Sequence, residues 1–534
     1  MTIRRLFPMF LLAAGLYAQT PAITSIQNPA SNILPGLPNF GIAQGSIFVL
    51  YGTNIGPTTL AQAPALPLGT TLANTSVKIT PPGGAAVLAP IVYVLNTQIA
   101  AVMPSSIPLT VNNVFATMQV TYNGVAGNVF SVRVVDSNFG ISTADQTGTG
   151  RAVITDASFN VITQANSAKN GSTYTMWGTG LGAANSDVNT ATNGDLLTPL
   201  QVFVGGVEAN VTYRGRSFGP GLDQINFTIP AGVSGCYVSL TVQTNTAITR
   251  VSNAPTIPIA ANGGNCSDVN SFPPAIVNAA LAKGNLTVGG FLLDNQKKQA
   301  KGFFLRFSPA QWAGAGNLFG IISPGSCITT VQTGSGGGNG GVPSSTGLDA
   351  GTSLTLTPPS GSAISMPLVQ AGVYFGNLTS LPSGTYTATN NSGGKDISAF
   401  SISLNGPPPF AWTNANISTV TRSQGLKITW AGGDANSFVD INGSAGGNPV
   451  IVNGQPVPTN VNATFECQVP SLAGSFTVPP SILLAIPGVA AGTGSNGSVQ
   501  INLQTYPQQL TIPGTDYGFA IMNTATITAN VAFQ

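Results

Sequence analysis

The 534-residue sequence contains no histidine. Histidine is the commonest general base, it completes the Ser-His-Asp and Cys-His catalytic arrangements, and it is the usual ligand of zinc and non-haem iron. Its absence removes the most frequent routes to hydrolysis and to metal-dependent chemistry. We predict from this that the chain is not an enzyme, has no cofactor and holds no metal.

Charged residues are also scarce. The 17 Lys and Arg residues and the 15 Asp and Glu residues give a formal net charge of +2. A nucleic-acid-binding surface needs a dense basic patch that neutralises phosphates. The nearest group of basic residues, Lys297, Lys298 and Lys301, is interpreted as a solvated loop. Nucleic acid is therefore not an expected partner.

Long apolar runs are confined to the N-terminus, where Arg4 and Arg5 precede an apolar stretch over residues 6–16 and the small residue Ala18. This order is typical of a signal peptide, which we predict over residues 1–18. No later segment reaches the roughly 20 apolar residues that cross a bilayer as a helix. We therefore expect an exported chain that is extracellular, cell-surface or periplasmic and has no transmembrane segment after cleavage.

Only four cysteines are present, Cys236, Cys266, Cys327 and Cys467. Such a set suits disulfides in an oxidising compartment and allows three pairings. We favour Cys236–Cys266, which would tie a strand of the second of two repeats to the segment that leaves it, together with Cys327–Cys467 in the C-terminal half. A zinc site is the rival interpretation, but the sequence has neither histidine nor a CxxC pair.

Glycine and proline are abundant, with 65 and 39 residues, and two motifs recur. GSIFVLYGTNIG at residues 45–56 returns as GSTYTMWGTGLG at residues 171–182, and QIAAVMP at residues 98–104 returns as QINFTIP at residues 224–230. Both pairs share one offset, which indicates a domain duplication. Each copy alternates apolar and polar residues and ends at a glycine-rich corner, as β-strands do.

The second repeat carries a more specific pattern. Its matching residues are Trp177, Gly178, Thr179, Gly205, Gly206, Tyr213, Gln224, Ile225, Asn226, Pro230, Ser252 and Asn253. This pattern resembles the Solibacter-type C-terminal domain, which is related to the IPT/TIG group of immunoglobulin-like folds. The first repeat departs from it at Ile99 and Ala100, where Ile-Asn is usual. The resemblance implies extracellular immunoglobulin-like β-sandwiches over nearly half the chain, and it implies no catalytic residue.

The predicted fold is thus all-β, with tandem immunoglobulin-like (IPT/TIG-like) β-sandwiches followed by further β-rich domains. A glycine-rich stretch at residues 334–347 is interpreted as a flexible loop within the third domain. The proposed division is a signal peptide (1–18), repeat 1 (19–137), repeat 2 (138–262), a β-rich domain (263–405) and a C-terminal β-sandwich-like domain (406–534).

Two pairs of acidic residues could supply the two carboxyl groups that glycosidase chemistry uses. They are Asp434 with Asp440, and Asp187 with Asp195. Both pairs are better interpreted as solvated turn residues, because Asp stabilises turns by bonding its own backbone. Calcium binding at residues 187–195 is the minor alternative. The GxSxG pattern at residues 215–219 is interpreted as a chance match, since a nucleophile elbow needs a strand-to-helix turn and a base.

The tryptophans are the remaining candidate ligand-binding residues, because sugar rings stack on aromatic faces. Trp312 lies in a loop-like stretch and is the predicted ligand-binding residue, whereas Trp177, Trp412 and Trp430 fit core packing. The sequence favours a non-catalytic structural or adhesion protein. A carbohydrate-binding protein is the alternative, and an unrecognised polysaccharide hydrolase is the weaker one. Expected partners are cell-envelope components, polysaccharide or other proteins.

Overall fold

The structure is a computed structural model that describes residues 20–110, 114–189, 196–269, 273–308, 322–333, 345–452, 455–457, 460–489 and 497–534. The predicted signal peptide lies outside these residues. Within them, no helix has the length and apolar character needed to cross a membrane.

Repeat 1 is a β-sandwich. Its strands are β1 (Ala22–Gln27), β2 (Ile42–Ala43), β3 (Ile47–Thr53), β4 (Ala61–Gln62), β5 (Thr75–Thr80), β6 (Val87–Leu88), β7 (Ile91–Val94), β8 (Gln98–Val102), β9 (Ala116–Tyr122), β10 (Val125–Val132) and β11 (Val134–Val135). One sheet has the order β1-β3-β8-β7-β4 and the other β10-β9-β5-β6. Alternate side chains of both sheets, among them Phe48, Leu50, Val77 and Met118, meet in one apolar core.

Repeat 2 has the same construction. Its strands are β12 (Gly140–Ile141), β13 (Ile154–Thr155), β14 (Ala168–Lys169), β15 (Thr173–Thr179), β16 (Leu200–Val204), β17 (Val207–Ala209), β18 (Val211–Arg216), β19 (Asp223–Thr228), β20 (Gly235–Asn245), β21 (Thr249–Val251) and β22 (Thr256–Ala260). One sheet contains β12, β13, β15, β19 and β18, and the other contains β14, β22, β20, β21, β16 and β17. Their inner side chains form a second core.

The repeated motifs form equivalent strand pairs in the two repeats. In repeat 1, β3 pairs antiparallel with β8, and Ile47 lies opposite Val102. In repeat 2, β15 pairs antiparallel with β19, and Thr173 lies opposite Thr228. These residues have the same sequence offset as the motifs, so the duplication extends to the strand register.

The remainder of the described chain is dominated by one 16-stranded sheet. Its elements and their neighbours are α1 (Pro274–Lys283), β23 (Leu286–Asp294), β24 (Gln299–Phe307), β25 (Ser326–Thr333), β26 (Thr346–Gly347), β27 (Ser353–Thr357), β28 (Ile364–Gln370), β29 (Val373–Asn377), β30 (Thr385–Thr389), β31 (Ser401–Asn405), β32 (Phe410–Trp412), β33 (Thr419–Val420), β34 (Leu426–Gly432), β35 (Ser437–Gly446), β36 (Val450–Val452), β37 (Gln455–Val457), β38 (Val461–Pro470), β39 (Ser475–Val478), α2 (Pro480–Leu483), β40 (Gly497–Thr505), β41 (Gln508–Leu510), β42 (Tyr517–Asn523) and β43 (Ile527–Phe533).

Strands from both sides of residue 405 share this sheet, because β23 pairs in parallel with β42. Side chains from both sides also share a core, in which Phe291 and Tyr374 pack with Ala520 and Met522. The division between residues 405 and 406 stays a prediction. The fold class is confirmed: the chain is all-β, with tandem immunoglobulin-like sandwiches followed by further β-rich sheets.

Both favoured disulfides are present. Cys236 bonds Cys266 and Cys327 bonds Cys467, with Cα atoms 5.4 and 4.1 Å apart. The first joins β20 to the segment that follows repeat 2. The second joins β25 to β38, where the two cysteines are direct cross-strand partners.

A segment of repeat 1, residues 28–40, connects three parts of the molecule, and we call it the junction segment. The Asn28 amide donates to backbone oxygens of repeat 2, and the Asn39 amide donates to the Val251 carbonyl at 3.0 Å. Ile33 and Leu37 are buried in the core of the C-terminal sheets. Repeat 1, repeat 2 and the C-terminal sheets are therefore packed together through one stretch of chain.

A buried ion pair, Arg216 with Asp223, also joins the two repeats. The Arg216 guanidinium donates to the carbonyls of Gly45 in repeat 1 and Gly182 in repeat 2, at 2.6 and 2.7 Å. Asp223 accepts the backbone N–H of Gly180 at 2.7 Å. Gly45 is required here, because its φ is +66° and a Cβ atom would collide with the guanidinium.

Candidate functional site

The outward side of the sheet that contains β15 and β19 is the candidate site, and we call it the outer face of repeat 2. Met176 and Ile225 are fully buried in the repeat 2 core. Successive side chains of a strand point to opposite sides of the sheet. Thr175, Trp177 and Gln224, which alternate with these core residues, therefore lie on the outer face.

Three aromatic rings meet at one end of this face and form what we call the aromatic platform: Phe159, Trp177 and Phe218. The Trp177 ring centroid lies 6.3 Å from that of Phe159 and 5.3 Å from that of Phe218. Trp177 is only 8% exposed, whereas the two phenylalanines are 62% and 61% exposed. Its indole N–H donates to the Thr155 hydroxyl at 3.0 Å. The tryptophan is thus a fixed base beneath two solvent-facing rings.

The turn that carries Phe159 is held by Asp156. The Asp156 carboxylate accepts the backbone N–H groups of Ser158 and Asn160, both at 2.9 Å, and the Asn160 side-chain amide at 2.9 Å. These bonds, with the Asn160 side chain contributing most, lower the pKa of Asp156. Phe159 has a φ of +63°, which is unfavourable for a bulky aromatic residue. The turn therefore keeps an exposed ring in a strained position, a feature that concentrates at functional sites.

Neutral polar side chains continue the outer face beyond the aromatic platform. Thr175 lies opposite Asn226, and its hydroxyl donates to the Asn226 Oδ1 at 3.0 Å. Asn226 in turn lies opposite Tyr213, and Gln224 lies opposite Trp177. The exposed side of the sheet thus combines aromatic rings with hydroxyl and amide groups, none of them charged.

The four tryptophans have three different outcomes. Trp312 lies outside the described residues, so its predicted role stays a prediction. Trp412 and Trp430 are cross-strand partners in the core of the C-terminal sheets, where they are 7% and 5% exposed. Trp177 is buried as well, but it lies on the outer face and supports the exposed phenylalanines.

Asp187 differs from the solvated turn residue that the sequence predicted. Its carboxylate accepts the Ser105 backbone N–H at 2.8 Å and the Ser105 hydroxyl at 2.6 Å. Ser105 belongs to repeat 1, so Asp187 connects the two repeats instead of closing its own turn. Its predicted partner Asp195 lies outside the described residues, and no cluster of three metal-ligating side chains occurs among the residues that were described.

The other predicted acid pair is also corrected. Asp434 is a turn residue, since it accepts the Asn436 backbone N–H at 2.9 Å. Asp440 instead lies within β35, half-buried, and Glu466 is its diagonal neighbour on β38. Burial raises the pKa of Asp440 well above its usual value, with a further contribution from the nearby Glu466, and burial also raises the pKa of Glu466. Sequence spacing missed this pairing, because only the sheet register brings the two carboxyls together.

Two further sequence interpretations concern Ser217 and Lys301. Ser217 of the GxSxG pattern is 7% exposed and lies in a turn between strands β18 and β19. A nucleophile elbow leads from a strand into a helix, so this context does not fit one.

Lys301 is not a solvated loop residue: it lies in β24, half-buried, with its amine 5.9 Å from the Phe303 ring centroid. Its burial lowers the pKa of Lys301.

Comparison with known proteins gives distant likenesses. No protein-family profile and no curated protein matches the chain. Similar solved structures include a tetra-tandem repeat in the extending region of a large adhesion protein (11% identity, 96% of this chain, 98% of that chain, TM-score 0.13). A second is SGBP-B of the mixed-linkage glucan utilization locus of Bacteroides ovatus (11% identity, 85% and 97% coverage, TM-score 0.15). A third comprises domains from titin (9% identity, 69% and 96% coverage, TM-score 0.11). At these TM-scores the likenesses carry no argument about function.

Proposed function

We propose that this chain is an exported, non-catalytic scaffold and adhesion protein that binds polysaccharide on the outer face of repeat 2. The observation that carries the proposal is the aromatic platform, in which Phe159 and Phe218 are mostly exposed above a buried Trp177. Large aromatic side chains left in solvent are typical of interaction surfaces rather than of cores.

Polysaccharide is the partner that fits this surface best. The C–H side of a pyranose ring packs on an aromatic face, and its hydroxyl groups need neutral donors and acceptors nearby. The two phenylalanine rings supply the first requirement, and Thr175, Gln224 and Asn226 supply the second. Three hydrogen bonds already hold the Asp156 carboxylate, so the charge near the platform is engaged within its own turn.

The scaffold part of the proposal rests on how the repeats are joined. A buried ion pair, the Asp187–Ser105 bonds and the junction segment all fix repeat 2 against its neighbours. A binding surface held on a rigid body loses less conformational entropy when it binds. The scarcity of charge and the two disulfides fit a stable protein outside the cytoplasm.

Related predictions belong to the same proposal. The Solibacter-type and IPT/TIG naming rests on the motif residues of repeat 2, and the domain boundaries rest on the sequence pattern. Export rests on the N-terminal pattern at residues 1–18. Cell-envelope components and other proteins are further partners that an adhesion protein of this kind would hold.

A pull-down tests the function directly. The exported chain, residues 19–534, is incubated with insoluble polysaccharides and with washed cell envelopes, and the retained fraction is measured. We expect retention on at least one polysaccharide and a loss of about tenfold or more in the double variant Phe159→Ala/Phe218→Ala, because a central aromatic contact contributes roughly 2 kcal/mol.

The matched control is Leu60→Ala/Leu472→Ala, which removes two other exposed apolar side chains (50% and 67% exposed). This control should bind like the wild type. Equal retention of the phenylalanine variant and the wild type, or equal loss in both double variants, would remove the aromatic platform as the site. Retention on envelopes alone would favour a protein partner.

A further inference from the structure

A cleft lies where repeat 1, repeat 2 and the C-terminal sheets meet, and we call it the junction cleft. Its volume is about 320 Å³, within the range of small-molecule sites, which often lie between domains. The junction segment supplies Ser31, Ile33 and Leu37, repeat 2 supplies Thr147, and β25 supplies Thr330. Three parts of the chain thus build one site.

The lining of the junction cleft is neutral. Its polar residues are Gln, Ser, Asn and Thr, and the others are Gly, Ala, Val, Leu and Ile. A charged ligand would lose its hydration here without gaining a counter-charge, which is unfavourable. The cleft therefore favours an uncharged ligand with several hydroxyl groups.

Ser31 provides a polar group that the protein itself does not satisfy. The residue is 6% exposed, and its hydroxyl has no hydrogen-bond partner. An unpaired buried hydroxyl costs free energy, so a partner that enters the cleft gains by bonding it. Two other hydroxyls of the lining already have partners: the Thr147 hydroxyl bonds Asp145 at 2.9 Å, and the Thr330 hydroxyl bonds that of Thr464 at 2.6 Å.

Apolar side chains line the junction cleft beside this hydroxyl. Ile33 and Leu37 come from the junction segment, and Val331, with 38% of its surface exposed, comes from β25. A hexose likewise combines apolar C–H groups on its ring faces with hydroxyl groups at its edge. The apolar side chains and the polar groups of the cleft match this combination.

We propose that the junction cleft binds one neutral sugar unit, either a free hexose or the end unit of a neutral oligosaccharide. The site goes beyond the proposed function, because it shares no residue with the aromatic platform and does not depend on it. The Ser31 hydroxyl, which is buried and which no other group holds, turns into the cleft and orients the sugar by a hydrogen bond, and the junction segment forms the wall of the site.

Isothermal titration of the exported chain, residues 19–534, tests this inference with D-glucose, D-galactose, D-mannose and cellobiose as probes and D-glucuronate as the charged comparison. We expect at least one neutral probe to bind with a dissociation constant of about 1 mM or tighter. Ser31→Ala should weaken that binding about 3- to 10-fold, the effect of one neutral hydrogen bond. Val331→Trp should abolish the binding of that sugar, because the larger side chain would fill the junction cleft.

The control Phe159→Ala/Phe218→Ala should keep the binding of the small sugar while it loses polysaccharide, which separates this site from the proposed function. Melting temperatures of all variants, measured alongside, identify any that fail to fold. Absence of binding by every neutral probe, unchanged affinity in both Ser31→Ala and Val331→Trp, or glucuronate binding as tightly as glucose would each overturn the inference.

Discussion

Asp440 and Glu466 are diagonal neighbours on the paired strands β35 and β38, and their environment sets their protonation. The Asn442 amide donates to Asp440 at 2.7 Å, and the Gln468 amide donates to Glu466 at 3.0 Å. The pKa of each carboxyl is nevertheless raised, because burial disfavours the negative charge of both, and the nearby Glu466 disfavours that of Asp440 further. The folded chain therefore binds more protons than the unfolded chain between about pH 4 and these raised values.

It follows that stability falls as pH rises through that window and stays lower above it. We expect Asp440→Asn to raise the melting temperature by a few degrees at pH 7 and to have little effect near pH 4, where the unfolded carboxyls also begin to protonate. Thermal melts across this pH range check the prediction. The control is Glu208→Gln, which removes an exposed carboxyl and should melt at pH 7 close to the wild type. A destabilised Asp440→Asn at neutral pH would contradict the shift.

At the scale of elements, the two disulfides close loops of very different length. Cys236 and Cys266 are separated by 30 residues, and Cys327 and Cys467 by 140. Cross-linking a longer loop removes more entropy from the unfolded chain, and the chain-entropy relation gives about 3.6 kcal/mol for the first bond and about 5 kcal/mol for the second.

We therefore expect Cys327→Ser/Cys467→Ser to lower the melting temperature more than Cys236→Ser/Cys266→Ser. All four cysteines are at most 5% exposed, so the cost of burying serine is similar in the two variants. Denaturant unfolding at neutral pH provides the free energies to compare. Equal losses, or a larger loss in Cys236→Ser/Cys266→Ser, would show that local packing outweighs loop length.

At the scale of the whole molecule, the junction segment links repeat 1 to the core of the C-terminal sheets. Ile33 and Leu37 belong to repeat 1 in sequence but are buried in the core around Trp412 and Trp430. Shortening a buried Ile or Leu to Ala costs about 2–5 kcal/mol. We expect Ile33→Ala/Leu37→Ala to divide the unfolding transition seen by calorimetry into separate transitions, because the repeats then make fewer apolar contacts with the C-terminal sheets.

The matched control is Leu60→Ala/Leu109→Ala, which shortens two exposed leucines of repeat 1 (50% and 41% exposed). This variant should melt like the wild type. Limited proteolysis of the first variant should cut more rapidly near residues 28–40. An unchanged calorimetric profile would show that other contacts, such as the Tyr237 N–H that donates to the Ser323 hydroxyl at 2.9 Å, are sufficient to hold the repeats against the C-terminal sheets.

Much of the architecture follows from the sequence. The alternation of apolar and polar residues and the common offset of two motifs were sufficient to predict the all-β class and the tandem sandwiches, because both patterns are visible in short stretches of sequence. Four cysteines allow only three pairings, and the position of Cys236 and Cys266 at the end of repeat 2 favoured the one that the structure contains.

The candidate sites required the tertiary structure. Phe159 and Phe218 are 59 positions apart along the printed sequence and come together only because their turns flank the same strand end over Trp177. Only the strand register makes Asp440 and Glu466 diagonal neighbours, and only the packing of the two repeats against the C-terminal sheets creates the cleft lined by Ser31, Thr147 and Thr330. Sequence periodicity indicates which side chains point away from a core. Only the packing of distant turns and strands decides which of these side chains contact one another.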